Sequence, residues 1–332
     1  MNIKDIARLA NVGVSTVSRV LNNHPDVKEE TRQNILKIMK ENNYIPNNSA
    51  RILKSSNQKT IGVLVKGIFN PFFAEMLEVI QSAIGTTGYD MIVQHYDYNT
   101  TNEIDKLVAF IKEKRLQGVI CLGGNFDAKL EDYLKDLPVT IVLASVDTKI
   151  TTPNNILSVI GIDNEKAGYI ATKYLIDTNH KNIAIIIGDS SDKKIGVLRQ
   201  KGYEKALKEA NLTNSYIIEG DFKYDIAYKK TKQLLLDFPE ITAIFAISDI
   251  MAIGACKAIL DSGRTIPKDV SVMGFDGMDI GQYYNPPITT IKQPMIEMAS
   301  LSVDILLDVL HNKSSNKQIT LETKLIKRDS AL

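Results

Sequence analysis

Tryptophan is absent from the 332 residues, aromatic residues make up only 7%, and the chain has two cysteines and four histidines. Cys121 and Cys256 allow at most one disulfide. Both sit in apolar segments far apart in sequence, so they read as two buried thiols of a cytoplasmic protein. No run of about 18 apolar residues occurs, which leaves no candidate for a membrane-spanning helix. The start, Met1-Asn2-Ile3-Lys4-Asp5-Ile6, carries an acid early and no continuous apolar stretch, unlike a secretory signal. G-x-G-x-x-G, G-x-x-x-x-G-K-[ST] and H-E-x-x-H are all missing. Gly123-Gly124 is an isolated pair, and His24, His95, His180 and His311 are scattered with no nucleophile close in sequence. These absences weigh against an enzyme, and the missing export signal weighs against a transport-type binding protein. Neither a cofactor nor a metal is expected.

Apolar content is 44%, enough for two globular units and a smaller third. The net charge of +1 hides an asymmetry: residues 1–60 carry ten Lys/Arg against five Asp/Glu, and the remaining 272 carry thirty against thirty-four. A basic head on a mildly acidic body suits a head that meets a polyanion.

Three short helical patterns fill the head. Ile3 to Ala10 places Ile6, Leu9 and Ala10 on one face. After the turn Asn11-Val12-Gly13, Val14 to Asn22 repeats the pattern through Val17, Val20 and Leu21. Asn22-Asn23-His24-Pro25-Asp26 breaks the chain. A third helix, from about Lys28 to Asn42, is expected to bury Thr31, Ile35, Ile38 and Met39. Two short helices joined by a tight turn, with a third across them, make the helix-turn-helix shape. On the second helix Val14, Ser15 and Arg19 point away from the apolar face, where an arginine can pair bidentately with guanine. From Tyr44 to Lys59 the composition becomes that of a short helix and a linker: Pro46 ends what precedes it and Asn47 is a candidate cap.

Beyond Thr60, β-rich apolar runs alternate with helical periods. The predicted strands are Ile61–Val65, Met91–Gln94, Val119–Leu122, Val139–Leu143, Ser158–Ile162, Ile183–Ile187, Ala243–Ile247 and Val270–Phe275. Amphipathic helices between them include Phe73–Ala83, Thr101–Lys114, Glu165–Ile176 and Asp249–Ser262. Continuous apolar strands separated by helices imply parallel sheets covered on both faces. A change of rhythm near Gly161 suggests two such α/β sheets side by side, with a cleft beyond the carboxyl ends of their strands.

Several motifs carry a resemblance. Ile3-Lys4-Asp5-Ile6-Ala7, Thr16-Val17-Ser18-Arg19-Val20-Leu21-Asn22 and Tyr44-Ile45-Pro46-Asn47 resemble the signature of the lactose-repressor/galactose-repressor family. So do Gly161-Ile162-Asp163-Asn164, Ser248-Asp249-Ile250-Met251-Ala252, Asp269 to Asp276 and Pro287 to Pro294, in the same order along essentially the whole chain. The resemblance implies a small all-α helix-turn-helix head over residues 1–45, a hinge helix and linker over 46–59, and a core over 60–332. That core consists of two doubly wound parallel-sheet subdomains resembling periplasmic sugar-binding proteins. The chain would cross between them three times, giving about 60–160 plus 291–320 and about 161–290 plus 321–332.

For function the resemblance implies a DNA-binding transcription regulator, of repressor type, whose DNA affinity a small molecule sets. Its partners would be a roughly palindromic double-stranded operator, a second copy of the chain and the effector, with no membrane. DNA contacts would come from Val14, Ser15, Thr16, Ser18, Arg19, Asn22, Tyr44, Asn47, Ala50 and Leu53, with Leu53 wedged into a minor-groove base step. Residues 47–55, with two sizeable apolar side chains, would order only over DNA. Effector contacts would come from Phe72, Phe73, Arg199, Phe222, Ser248 and Asp276: rings for an apolar wall, a guanidinium and a carboxylate for hydroxyls or ring N–H groups. A sugar fits this chemistry. A nucleobase or nucleoside, a sugar phosphate and a phosphoprotein corepressor remain alternatives. For Asp276 at a strand end, a helix or turn cap is an equal reading, and for Phe72 or Phe222 alone, core packing.

The chain departs from the family pattern in places. Ala144-Ser145 stands where relatives place an aspartate, the nearest here being Asp147. Gly13 replaces the usual Ser or Thr before the second helix, and Lys28 stands where a capping Ser is common. No heptad tail follows Leu325-Ile326-Lys327-Arg328, which favours a dimer over a tetramer.

Overall fold

The computed structural model describes the chain except residues 22–23, 43, 45–58, 68–69, 98–99, 101, 127–129, 148–155, 189–194 and 214. Asn22 and the expected hinge helix, with Asn47, Ala50 and Leu53, lie outside the described residues. Two units are present, Met1–Gln58 and Lys59–Leu332.

In the smaller unit α1 spans Ile3–Leu9, α2 Val14–Leu21 and α3 Glu29–Glu41. A capping box starts α1: the Asn2 side chain accepts from the N–H groups of Lys4 and Asp5, and the Asp5 carboxylate accepts from Asn2 N–H. Asn11, at φ 51°, turns the chain into α2, a conformation asparagine tolerates. Ile6, Ala7, Ala10, Val17, Val20, Ile35 and Met39 form the core of the head. The expected face of α1 was misplaced at one position: Leu9 is 51% exposed, because Ala7 and Ala10 take the inward side with Ile6. On α3 only Ile35 and Met39 are buried, whereas Thr31 and Ile38 are half-buried. Lys28 caps α3 without a side-chain hydrogen bond.

The larger unit begins with β1 (Thr60–Lys66), α4 (Pro71–Ile84), β2 (Asp90–Tyr96), α5 (Glu103–Lys114), β3 (Gly118–Leu122), α6 (Leu130–Leu134), β4 (Thr140–Ala144) and β5 (Leu157–Ile162). It continues through α7 (Asn164–Asp177), β6 (Ile183–Ile187), α8 (Ile195–Glu209), β7 (Tyr216–Glu219), α9 (Tyr224–Asp237) and β8 (Ala243–Ala246). Next come α10 (Asp249–Asp261), β9 (Ser271–Asp276), α11 (Asp279–Tyr283) and β10 (Thr289–Lys292). Last are α12 (Met295–Leu310), β11 (Gln318–Leu321) and β12 (Lys324–Ile326). Every predicted strand is present, with ends within two residues. β7, β10, β11 and β12 went unpredicted because they are short and carry polar residues.

One sheet has the order β11-β5-β4-β3-β1-β2, the other β12-β10-β9-β8-β6-β7. All pairings are parallel except β10 with β12. Central strands such as β1, β3 and β5 are buried along their length, while the edge strand β7 alternates, as parallel sheets with covered faces require. The chain changes sheet after Ile162, after Lys292 and after Leu321. α12 returns to pack on the first sheet, whereas α7 lies on the second. α7 and α8 pack backbone to backbone. A Cβ on Gly168 would sit 2.3 Å from the Arg199 carbonyl oxygen, and one on Gly202 2.2 Å from that of Glu165. Cys121 and Cys256 are free buried thiols. Burial pushes both up, Cys256 to about 12, which keeps them protonated and unreactive.

Candidate functional site

On the head, Val14, Ser15 and Arg19 of α2 are exposed on one side, with Thr16 and Ser18 half-buried beside them. The apolar positions of α2, Val17 and Val20, are fixed in the core, so the opposite face must look outward. The Arg19 guanidinium lies 3.2 Å from Asp26 Oδ2. Tyr44 packs half-buried against the head core, its N–H donating to the Met39 carbonyl at 2.9 Å.

In the larger unit a cleft of about 650 Å³, including its mouth, opens between the carboxyl ends of the two sheets. Five of the six sequence-predicted residues line it: Phe72, Phe73, Arg199, Phe222 and Asp276. Ser248 is not among the lining residues. Its hydroxyl caps α10, accepting from Met251 N–H, and that position buries it in the helix start. The Phe72 and Phe73 rings come from the start of α4, where the Asn70 side chain accepts from Phe72 N–H and Pro71 fixes the first turn. Phe72 and Phe73 meet edge to face at 5.4 Å between ring centroids.

Sequence reasoning missed other parts of the wall: Lys66, Asn70, Asn125, Ser145, Ile195 and Gln293, with the pair Gly123-Gly124. The glycine pair, isolated in the sequence, is the one local signal for this wall. Both its residues have positive φ, and a Cβ on Gly124 would lie 2.5 Å from the Phe126 ring and 2.9 Å from Glu103 Oε2. Ser145, at φ 55°, follows the end of β4 and lines the cleft. Phe222 (φ 50°) and Asp276 (φ 112°) also have left-handed backbones, so three residues lining the cleft hold a conformation that side chains beyond glycine rarely adopt.

Each wall carries a buried ion pair. On the first, Lys66 Nζ donates to Glu103 Oε1 at 2.7 Å, and Glu103 Oε2 accepts from Tyr96 Oη at 3.0 Å and Asn125 N–H at 2.7 Å. One carboxylate thus ties together the ends of β1 and β2 and the loop after β3. Burial and the Glu103 charge push the Tyr96 hydroxyl well up, so it stays a donor. On the second wall, Arg199 Nε donates to Asn164 Oδ1 at 2.9 Å and Nη1 to the Ile247 carbonyl at 2.7 Å. The guanidinium lies 3.6 Å over the Phe275 ring and 3.9 Å from Asp276 Oδ1. Asp276 Oδ1 accepts from Gln293 Nε2 at 2.8 Å. Burial raises the Asp276 carboxyl to about 6, against the pull of Arg199 and Gln293. Behind it Asp249 accepts from Thr290 Oγ1 and Met278 N–H, both at 2.7 Å. Burial, then the Asp276 charge, pushes it up to about 8.

Comparison with known proteins agrees with both halves. Residues 2–47 match the family described as bacterial regulatory proteins, lacI family, and residues 172–331 match the periplasmic binding protein-like domain. The HTH-type transcriptional regulator MalR of Clostridium butyricum is 51% identical over 332 residues, covering 99% of each chain. Among solved structures, the Lac repressor dimer bound to operator and the anti-inducer ONPF is similar at a TM-score of 0.78 and 27% identity, covering 100% of this chain and 99% of that one. The complex of the transcriptional regulator CelR with cellobiose is similar at 0.72 and 29%, covering 100% of both chains.

Proposed function

The chain belongs to the lacI family of bacterial regulatory proteins, and from that premise we propose a sequence-specific DNA-binding transcription regulator of repressor type. It acts as a homodimer on a roughly palindromic operator, two-fold protein symmetry meeting half-site symmetry. A small polar molecule in the cleft sets its DNA affinity. One observation carries the reading: a single chain holds an arginine-bearing face exposed on a three-helix head and, in a separate unit, a cleft walled by phenyl rings and buried ion pairs. On the head, Val14, Ser15 and Arg19 read base edges, with Thr16 and Ser18 beside them.

The effector of this reading is an uncharged sugar. Its hydroxyls donate to Asp276 and accept from Arg199, and its C–H faces lie on Phe72, Phe73 and Phe222. Both cleft cations already have carboxylate partners, Glu103 for Lys66 and Asp276 for Arg199, which favours a neutral ligand over a sugar phosphate. The sugar complex of CelR supports the same class. A ligand bridging both walls biases one sheet against the other about the three crossing segments, and the 46–59 segment carries that bias to the head. The reading places no chemical turnover in the cleft, and it places the protein in the cytoplasm with its DNA. Among the described residues no helix is long and apolar enough to cross a membrane.

The test is a thermal-shift screen of mono- and disaccharides, nucleobases, nucleosides and sugar phosphates, followed by DNA-binding titrations with each hit. A saccharide that raises the melting temperature and changes DNA affinity supports the reading. If only a nucleobase or a phosphorylated sugar does so, the sugar assignment is wrong. If the chain binds no DNA sequence selectively, the regulator assignment is.

A further inference from the structure

An exposed ion pair adds little to the stability of a fold, because water screens it and two side chains must be held still. The pair between Arg19 and Asp26 is of that kind, with side chains 59% and 44% exposed and Nη1 to Oδ2 at 3.2 Å. Yet the carboxylate is fixed from several directions. Its other oxygen, Asp26 Oδ1, lies 2.7 Å from His24 Nδ1. The His24 N–H donates to the Arg19 carbonyl at 2.9 Å, and the His24 carbonyl accepts from Arg32 Nη2 of α3 at 2.6 Å. The chain after α2 is thus tied back to α2 itself and to α3, and it presents a negative charge to the one arginine on the outward face of α2. Such a placement spends a carboxylate beside a cation that should meet a polyanion.

We propose that Asp26 is a positioning residue for base reading: it holds the Arg19 guanidinium in one orientation and offsets part of its charge, so that Arg19 selects a base edge over any phosphate. The inference rests on the DNA-reading role of α2 given above. A guanidinium carries five N–H donors in a rigid plane, so one engaged by Asp26 leaves others for the paired acceptors of guanine. A phosphate accepts a cation from many directions and gains little from a fixed orientation, whereas a bidentate base contact needs the plane set correctly. The negative charge of Asp26 also opposes sequence-independent attraction to the backbone, which is the term most sensitive to salt. Both effects raise the ratio of specific to non-specific binding, and neither adds affinity as such.

The experiment uses the full chain as wild type, Asp26→Ala, Asp26→Asn, Asp26→Glu and Arg19→Ala. Each is bound to a duplex library with a randomised core, and the retained DNA is sequenced. Affinities are then measured against the best-enriched duplex and a scrambled one over a range of salt. Arg19→Ala identifies the base pair that Arg19 reads, as the position whose preference collapses. At that position Asp26→Ala and Asp26→Asn should lower the preference about threefold to tenfold, while other positions keep theirs. Affinity for the scrambled duplex should rise severalfold, with the slope of log affinity against log salt steeper by about one per head. Asp26→Glu, which keeps the charge on a longer stem, should recover part of the preference. If both duplexes gain equally in Asp26→Ala and the preference at the Arg19 position is unchanged, Asp26 acts only as a charge and the proposal fails alone. If the wild type enriches no sequence, the DNA reading fails and takes the proposal with it.

Discussion

Glu103 offers the sharpest test of how the cleft wall is held. Its side chain is 6% exposed and its carboxylate serves three donors at once: the ammonium of Lys66, a side chain 9% exposed, the Tyr96 hydroxyl and the Asn125 N–H. In Glu103→Ala the ammonium stays buried without its counter-charge, a loss of about 3–5 kcal/mol for broken buried pairs. The two neutral donors each lose an acceptor, about 1 kcal/mol apiece when water cannot fully replace it. Because one carboxylate serves all three, the losses overlap, and about 4–6 kcal/mol is expected in total. Lys66→Met should cost less, about 2–3 kcal/mol, since the carboxylate keeps Tyr96 and Asn125 as donors. The decisive variant is Lys66→Met with Glu103→Gln: with the charge gone from both sides, it should be more stable than the sum of its single changes by about 2 kcal/mol. Urea unfolding of the full chain, followed by circular dichroism with slopes compared between variants, measures each value. A loss below about 1 kcal/mol in Glu103→Ala, or strict additivity in the double variant, would refute the claim that this wall is held by a buried ion pair.

Further outcomes follow from the same geometry. Arg199→Ala and Asp276→Ala should each abolish the thermal shift produced by the effector. Arg199→Ala should also lower core stability by about 3 kcal/mol or more, because it strands Asn164 Oδ1, the Ile247 carbonyl and the buried Asp276. A retained shift at unchanged effector concentration would remove the residue from the site. Arg19→Ala should cost about 1–3 kcal/mol against the best-enriched duplex and far less against a scrambled one, read by fluorescence anisotropy. For pH, both Asp249 and Asp276 have folded pKa values raised above 3.8, to about 8 and about 6. Their contribution to stability is therefore fully present below pH 3.8 and is lost as pH rises through about 6 and then about 8. Asp249→Asn should flatten the stability profile between pH 6 and 8, and an unchanged slope in urea titrations there would contradict the burial of that carboxyl.

The sequence by itself determined the class of each unit. Val17 and Val20 on one side of α2, with Val14, Ser15 and Arg19 on the other, are set by a helical period, which needs nothing beyond the local chain. Runs such as Ile61–Val65 and Ile183–Ile187 are apolar on both faces, so a covered parallel sheet suits them. Phe72, Phe73, Arg199, Phe222 and Asp276 were legible as cleft residues only through the chain-wide resemblance to a known family, with Asp276 alone inside one of its motifs. What the sequence could not decide lies where distant segments meet. Lys66 ends an apolar strand and gives no hint that its partner is Glu103, 37 residues on. Gly123-Gly124 is a featureless pair until the Phe73 and Phe126 rings and Glu103 close over it. Ser248 looks polar and available, yet the start of α10 claims its hydroxyl. β7, β10, β11 and β12 are too short and too polar to announce themselves, and they exist because a neighbouring strand offers its open edge. Period and composition are properties of a segment, whereas burial, charge pairing and backbone strain are properties of the places where segments converge, and only the tertiary structure brings those places into being.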